Sequence, residues 1–271
     1  MRPVPTIVFF HAHPDDEASQ TSGAMARAAA EGSRVVAVFA TNGEHGEVPD
    51  DLAPGETLID RRRIEAERSA AALGVARVEW LGYSDSGMTG WEQNTHAGCF
   101  HQADTRDAGL RLAAILDAED ADIVVGYDWH GGYGHPDHVK VHHVLHEGAR
   151  LAARRPRVLE STMNRDIIRR LYEGAKAAGL SDSDAFNPDA PMDDGNPLGT
   201  PEAEITWQVD VADFLPHRRA AMEAHRSQKT DIEGFLGMPE EIFRAFFATE
   251  HYIEPAYADS PGMHAGWPFG A

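Results

Sequence analysis

Two segments of the chain concentrate imidazole and carboxylate side chains at spacings that suit metal chemistry. Residues 11–17 read His-Ala-His-Pro-Asp-Asp-Glu, and residues 130–138 read His-Gly-Gly-Tyr-Gly-His-Pro-Asp-His. Nitrogen and oxygen ligands of this kind suit zinc in a catalytic site, where three protein ligands leave a fourth position for water. Zinc lowers the pKa of that water to about 7, and a nearby carboxylate can accept its proton. The two segments therefore predict a metal site that activates water.

The alternative is that these histidines are ordinary surface or hydrogen-bonded residues, as a lone histidine usually is. Each segment, however, contains a His-Pro-Asp core, at residues 13–15 and 135–137, and such a repetition is much less frequent by chance than a single histidine. The chain has one cysteine, Cys99, so neither an intramolecular disulfide nor a cysteine-based zinc cluster is expected. The pattern favours a metal site built from histidine and aspartate.

The elements that position these segments alternate between apolar strands and helices. Strands are predicted at 6–10, 34–39, 77–81 and 123–126, and helices at 22–31, 60–73, 104–119 and 137–154. This alternation predicts an α/β fold with a Rossmann-like, doubly wound, mostly parallel sheet flanked by helices. Ligands bind such sheets at the carboxyl ends of the strands where the strand order reverses. If the first and fourth strands are neighbours, both segments face one crevice.

The rest of the chain is less regular. Strands are predicted at 157–163 and 204–211, and helices at 166–178, 212–226 and 239–249. Residues 181–201 are rich in Asp, Pro, Gly and Asn and are interpreted as a long loop or lid bordering the crevice. With no internal repeat and no clear linker, residues 1–271 are predicted to form one domain. Its Rossmann-like core is 1–163, and a C-terminal elaboration, 164–271, completes the pocket.

Composition limits the partners. A net charge of −20 with histidine neutral disfavours nucleic acid and anionic membranes, which bind clustered lysine and arginine. A small-molecule substrate is therefore expected. Residues 4–10 are too short for the core of a signal peptide, and we find no apolar run long enough to span a bilayer. The single cysteine fits a reducing environment, and we expect a cytoplasmic protein.

The motifs resemble a known family. Residues 12–17 (Ala-His-Pro-Asp-Asp-Glu) and 135–138 (His-Pro-Asp-His) look like the two signatures of the PIG-L/LmbE-like N-deacetylases. Residues 131–138 and 83–88 are most similar to the mycothiol-pathway deacetylase and amidase branch of that family. The resemblance covers nearly the whole chain. It implies a Rossmann-like fold and hydrolysis of the N-acetyl group of an N-acetylglucosamine-type glycoside. It also implies one zinc ion per chain, or another divalent metal such as Fe²⁺.

The resemblance also assigns roles to the metal cluster. His13, Asp16 and His138 would be the metal ligands, and Asp15 would be the general base. Elementary chemistry agrees, because water activation needs a carboxylate beside the metal that is not itself a ligand. Asp15 is adjacent to Asp16 in the sequence.

Further residues are assigned to the substrate. His135 would stabilise the oxyanion or protonate the departing amine, and Tyr133 would polarise the amide carbonyl. Glu47 and Asp85 would hold sugar hydroxyls, and Arg62 would reach the polar end of the ligand. For Arg62 and its helix, a solvated salt-bridging face remains the alternative.

Two other functions stay open at this point. One is an amidase that cleaves a larger acyl group, such as a mycothiol S-conjugate. The other is a catalytically silent sugar- or metal-binding module, although such a module would not need Asp15. His130 and residues 90–101 depart from the pattern of the mycothiol enzymes near the expected sugar pocket. These departures predict an aglycone other than inositol.

Overall fold

A computed structural model describes residues 4–177, 179, 187–192, 194–257 and 262–270. Helices flank a sheet of eight strands within these residues. The strands are β1 (Thr6–His11), β2 (Arg34–Thr41), β3 (Arg77–Tyr83), β4 (Ile123–Tyr127), β5 (Arg157–Thr162), β6 (Trp207–Asp210), β7 (Thr249–Ile253) and β8 (His264–Ala265). The α-helices are α1 (Ser22–Ala30), α2 (Leu58–Leu73), α3 (Thr105–Ala118), α4 (Pro136–Leu151), α5 (Arg165–Ala177), α6 (Leu215–Ala224), α7 (Lys229–Leu236) and α8 (Glu240–Phe247).

The strand order is β3-β2-β1-β4-β5-β7-β6-β8, and β1 to β5 are parallel. The predicted mostly parallel α/β fold is therefore confirmed. β1 pairs with β2 on one side and β4 on the other, so the chain reverses direction across the sheet between them. This is the switch point at which the two histidine-rich segments were expected to meet.

The core lies on both faces of the sheet because the four residues 7–10 of β1 are all apolar and buried. Ile7 and Phe9 join one apolar cluster with α1, α2 and α6, while Val8 and Phe10 join another with α3 and α4. Burial on both faces is what a continuous apolar run in a parallel strand predicts.

Local signals explain where the helices begin and end. Thr57 and Asp60 form a capping box at the start of α2, and Gly74 ends that helix in the left-handed conformation. His135 is the N-cap of α4, where its side chain accepts a hydrogen bond from the backbone amide of Asp137. None of the helices in the described part of the chain has the length and apolar character needed to cross a membrane.

The C-terminal prediction was partly wrong. The helix expected at 239–249 ends at Phe247, and β7 follows it as an unpredicted strand antiparallel to both β5 and β6. The segment expected as one helix at 212–226 is a short 3-10 turn followed by α6, and α7 was not predicted. β7 contains Glu250 and His251, which are uncommon in buried strands, so its pattern is not that of a central strand.

Buried partners explain why β7 is nevertheless stable. Glu250 is buried, and its carboxylate accepts hydrogen bonds from the amides of Gly23 and Ala24 in α1 and from the guanidinium of Arg218. Tyr252 donates to the same carboxylate. A buried charge is tolerated when it is paired and hydrogen-bonded. Apart from Tyr252, these partners lie far away in the sequence, so the strand could not be recognised locally.

Candidate metal centre and active site

The loop after β1 is held in an unusual conformation. Asp15 has a φ of 110°, which L-residues rarely adopt and which costs about 1–3 kcal/mol. Three contacts hold the loop: the amide of Asp15 donates to Glu17 Oε2 over 2.9 Å, and Arg62 Nη2 donates to the Pro14 carbonyl and to Asp15 Oδ2. The surrounding structure thus fixes the direction of the Asp15 carboxylate.

His13, Asp16 and His138 converge at the switch point. Asp16 Oδ2 lies 3.5 Å from His13 Nδ1, and Asp16 Oδ1 lies 3.3 Å from His138 Nε2. The other ring nitrogen of His138, Nδ1, lies 3.2 Å from the Gly131 carbonyl and donates to it. His138 Nε2 is buried and has no hydrogen-bond partner among the described residues. An unpaired imidazole nitrogen facing a carboxylate fits a divalent metal ion.

A second carboxylate orients His13. His13 Nε2 donates to Asp137 Oδ2 over 3.2 Å, and Asp137 in turn accepts from the amide and hydroxyl of Ser86. Metal-binding histidines usually donate their other ring nitrogen to such a group, which fixes the tautomer. This leaves Nδ1 of His13 as the free nitrogen on the Asp16 side. No role was predicted for Asp137, although it lies inside the second motif.

Other donor sets share the same cluster. Ligand atoms of His13, His135 and His138 lie within 4.8 Å of one another, and so do those of His13, Asp85 and Asp137. In the second set, Nε2 of His13 is the atom nearest the carboxylates, and it is already hydrogen-bonded to Asp137. The described residues therefore form a metal-binding cluster of histidine and aspartate.

Electrostatics differ between the two adjacent aspartates. Burial raises the pKa of Asp15 to about 6, although Arg62 opposes this. Burial alone would also raise the pKa of Asp16, but the neighbouring His138 and His13 hold it well below its usual range. The carboxylate of Asp15 is therefore the more basic of the two, which fits a general base, and the less basic carboxylate of Asp16 fits a metal ligand.

Residues 131–134 form a glycine-rich loop before α4. His135 and Tyr133 border the cluster on the side of this loop. The Asp137 amide donates to His135 Nδ1 over 3.1 Å, so a neutral His135 carries its proton on Nε2. Burial, with a further contribution from His13 and His138, lowers the pKa of His135 and favours that neutral form. The ring centroid of Tyr133 lies 6.2 Å from that of His135 and 4.9 Å from that of His138. This side supplies hydrogen-bond donors.

The three residues assigned to substrate binding, Glu47, Asp85 and Arg62, differ in placement. Asp85 is buried beside the cluster, with Oδ1 3.5 Å from His13 Nε2, and it accepts from the amides of Gly87 and His45. Although burial alone would raise the pKa of Asp85, His13 and these amides hold it below its usual range. Glu47 is exposed, and its carboxylate accepts from the amide of Thr230 at the start of α7.

Arg62 is buried and donates to the carbonyl of Gly43 over 2.6 Å as well as to the Asp15 loop. Glu65 on the same helix is buried too, where it accepts from the amide and hydroxyl of Ser227. The alternative of a solvated helix face is therefore wrong. Arg62 connects the loop after β1 to the loop after β2.

Residues from the C-terminal part of the chain contact the loops after β1 and β2. His225 is fully buried, and its Nε2 lies 2.6 Å from Glu17 Oε1. Gln228 accepts from the amide of Glu47 and donates to its carbonyl. Glu17 thus joins His225 to the amide of Asp15, a role that the sequence analysis missed because the partners are 208 residues apart.

The glycine-rich loop packs against part of the segment that was interpreted as a lid. Residues 181–186 and 193 lie outside the described residues. Further along, Gly199 donates to the Gly132 carbonyl over 2.7 Å, and His130 Nε2 lies 3.2 Å from the Gly199 carbonyl. His130 is buried, so its side chain supports this packing.

Gly131 provides a test of how closely this loop positions His138. Its φ is +64°, and a Cβ there would lie 2.7 Å from the carbonyl carbon of His138. Gly131→Ala is therefore expected to displace His138 and to weaken metal binding by about tenfold or more. Metal affinity is measured by competition with a chelator. Gly90→Ala is the matched control, because Gly90 also has positive φ, +84°, but has no atom within 4 Å of its added Cβ. Equal weakening in both variants would contradict the role of close packing.

Comparison with known proteins identifies relatives of the chain. The family described as PIG-L: GlcNAc-PI de-N-acetylase matches residues 8–148, which is more than half of the chain. A 1D-myo-inositol 2-acetamido-2-deoxy-alpha-D-glucopyranoside deacetylase of Thermobispora bispora is 34% identical over 284 residues, covering 97% of this chain and 92% of its own. An enzyme of the same name from Nocardiopsis dassonvillei is 37% identical over 262 residues, covering 89% of this chain and 91% of its own.

A solved structure shares the fold. The N,N'-diacetylchitobiose deacetylase from Pyrococcus horikoshii matches with a TM-score of 0.58 and 22% identity, covering 93% of this chain and 85% of that chain. At this identity the likeness concerns the fold.

Proposed function

Because the chain belongs to the PIG-L family of GlcNAc-PI de-N-acetylases, we propose that it removes the acetyl group from an N-acetylglucosamine glycoside in a zinc-dependent reaction. It is an N-deacetylase and therefore a hydrolase. The observation that carries the finer proposal is the convergence of His13, Asp16 and His138 beside a separately held Asp15. We also propose that residues 1–271 form a single deacetylase domain.

His13, Asp16 and His138 would hold the ion, through Nδ1, a carboxylate oxygen and Nε2 respectively. Bound there, zinc would polarise the acyl carbonyl and lower the pKa of the attacking water. Asp137 keeps Nδ1 of His13 directed at the site by accepting the proton of Nε2. Two nitrogen ligands and one oxygen ligand leave a position open for catalysis.

Asp15 is the proposed general base. Its carboxylate is held by Arg62 and not by the metal ligands, so it is available to accept a proton from the attacking water. His135 Nε2 and the hydroxyl of Tyr133 would donate hydrogen bonds to the oxygen that becomes negatively charged as the amide is attacked. The proton that Asp15 accepts from the water would then pass to the departing amine, because His135 stays neutral and has none to give.

The substrate proposed for the first test is the N-acetylglucosamine glycoside of myo-inositol. The relatives that match along nearly the whole chain carry that substrate in their names. The departure at His130 does not argue against it, because the side chain is buried against Gly199 and supports packing. Residues 90–101 still differ from the pattern of the mycothiol enzymes, and this loop contains the exposed Trp91.

Released amine is the direct measurement. Purified, zinc-loaded protein would be incubated with the inositol glycoside, with free N-acetylglucosamine and with a mycothiol S-conjugate that carries a larger acyl group. We expect the highest kcat/KM on the inositol glycoside. Preference for the S-conjugate would favour the amidase alternative, and no release from any substrate would contradict the proposal.

Trp129 is the proposed contact for the distal part of the glycoside. Its side chain is about half exposed, and its ring packs against His130 with centroids 4.6 Å apart. Trp129→Ala is expected to raise KM for the glycoside about fivefold, the equivalent of about 1 kcal/mol, with kcat on free N-acetylglucosamine unchanged. Trp129→Phe, which keeps an aromatic ring, should restore most of the affinity. Equal loss on both substrates would indicate a packing role instead.

The earlier expectation for residues 181–201 remains a proposal in a narrower form. Residues 194–200 pack on the glycine-rich loop, so a deletion that includes them would disturb the metal site. A variant that tests the lid expectation should therefore leave residues 194–200 in place.

A further inference from the structure

A second group of metal-ligating side chains lies further along α4. His142 and His146 are one helical turn apart, and Glu160 on β5 faces them. One ligand atom from each of the three residues lies within 4.8 Å of the others. Histidines at positions i and i+4 of a helix present two nitrogens to the same ion, as in helical zinc motifs.

The nitrogen of His142 that faces the carboxylate is Nδ1, 3.7 Å from Glu160 Oε1 and 3.2 Å from the Tyr127 carbonyl. His142 would bind an ion through Nδ1 in the tautomer that carries its proton on Nε2. His146 Nε2 lies 2.6 Å from Glu160 Oε1. The ring centroids of the two histidines are 4.7 Å apart. Two imidazole nitrogens and a carboxylate oxygen are thus gathered in one place.

We propose that His142, His146 and Glu160 form a second site for a divalent transition metal of the zinc class. Their two nitrogens and one oxygen are a donor set that zinc uses, with a fourth position left for water. On binding, the ion would replace the proton shared between His146 and Glu160, and that proton would pass to solvent.

The site is accessible to ions from solution. The side chain of His146 is about one-third exposed, and it lines an open cavity of about 560 Å³ together with Thr105, His143, Glu147, Arg150 and Arg155. The positive charge of Arg150 is paired with Glu147 over 2.6 Å. This pairing reduces the repulsion that an entering cation would meet.

The second site is distinct from the first. His138, His142 and His146 follow one another at four-residue intervals along α4, so the second ion would lie roughly 9 Å further along the helix axis. Tyr127 separates the two, because its ring packs on His138 while its carbonyl lies 3.2 Å from His142 Nδ1. An ion bound there would join α4, which carries His138, to β5.

Metal stoichiometry tests the proposal. Metal-free protein would be titrated with Zn²⁺ in competition with a chelator, and bound zinc would be counted by elemental analysis. We expect two ions per chain in the wild type and one in the His142→Ala/His146→Ala variant, which should keep its deacetylase activity. His143→Ala is the matched control and should retain both ions. Two ions in the double variant, or a single ion in the wild type at saturation, would overturn the proposal.

A milder variant guards against misfolding. Glu160→Gln keeps the size of the side chain and should weaken the second site by about 100-fold or more, since a ligand change costs at least as much as loss of a supporting contact. The His13→Ala/His138→Ala variant should still bind one ion, and adding Glu160→Gln should remove it. Zinc binding unchanged by Glu160→Gln would also contradict the site.

Discussion

Replacing both His13 and His138 with alanine is expected to remove one metal ion per chain and to abolish deacetylation. These residues supply both nitrogen donors of the proposed catalytic site, and His138 Nε2 has no other hydrogen-bond partner in the described part of the chain. Asp16 alone could not retain the ion, because catalytic zinc sites use three protein ligands. Elemental analysis of stripped and reconstituted protein would count the ions, and released amine would report activity.

His96→Ala/His101→Ala is the control for loss of two histidines. Both residues are exposed in the loop between β3 and α3, so this variant should keep the wild-type metal content. Full metal content in the His13→Ala/His138→Ala variant would contradict the ligand assignment.

The second large effect separates the base from the ligand. Asp15→Asn should keep the metal and lower turnover by about 100-fold or more, the typical contribution of general base catalysis. Asparagine has nearly the same shape, and its side-chain oxygen can still accept the hydrogen bond from Arg62. Circular dichroism and metal content would confirm that the loop is intact while single-turnover kinetics measure the chemical step.

The neighbouring Asp16→Asn variant provides the opposite pattern. It should weaken the metal itself, because Asp16 lies between both histidines. If Asp15→Asn loses the ion and Asp16→Asn keeps it, the two roles have been exchanged. If Asp15→Asn retains full turnover, another group accepts the proton.

The parallel half of the fold was predictable because its signals are local. Apolar runs such as 6–10 and 34–39 mark strands buried on both faces, and Gly74 marks a helix end. The rule of right-handed crossover connections limits the possible strand orders but does not select one. The meeting of the two motifs needed one further condition, the adjacency of β1 and β4, which the structure satisfies.

What could not be predicted depends on distant partners. β7 contains Glu250, which becomes tolerable in a strand only through Arg218 and the amides at the start of α1. The positive φ of Asp15 likewise depends on contacts from Arg62 and Glu17. A sequence motif names the residue types, but tertiary contacts decide their rotamers and hydrogen bonds.

The contact between Glu17 and His225 also affects when the protein can become active during its synthesis. The first motif leaves the ribosome 208 residues before the histidine that braces it. At about 5–20 residues per second, this interval lasts roughly 10 to 40 s. During this interval the loop bearing Asp15 lacks its contact with His225, so the nascent chain carries the side chains proposed for catalysis before that contact can form. Activity should therefore begin only after His225 has emerged from the ribosome.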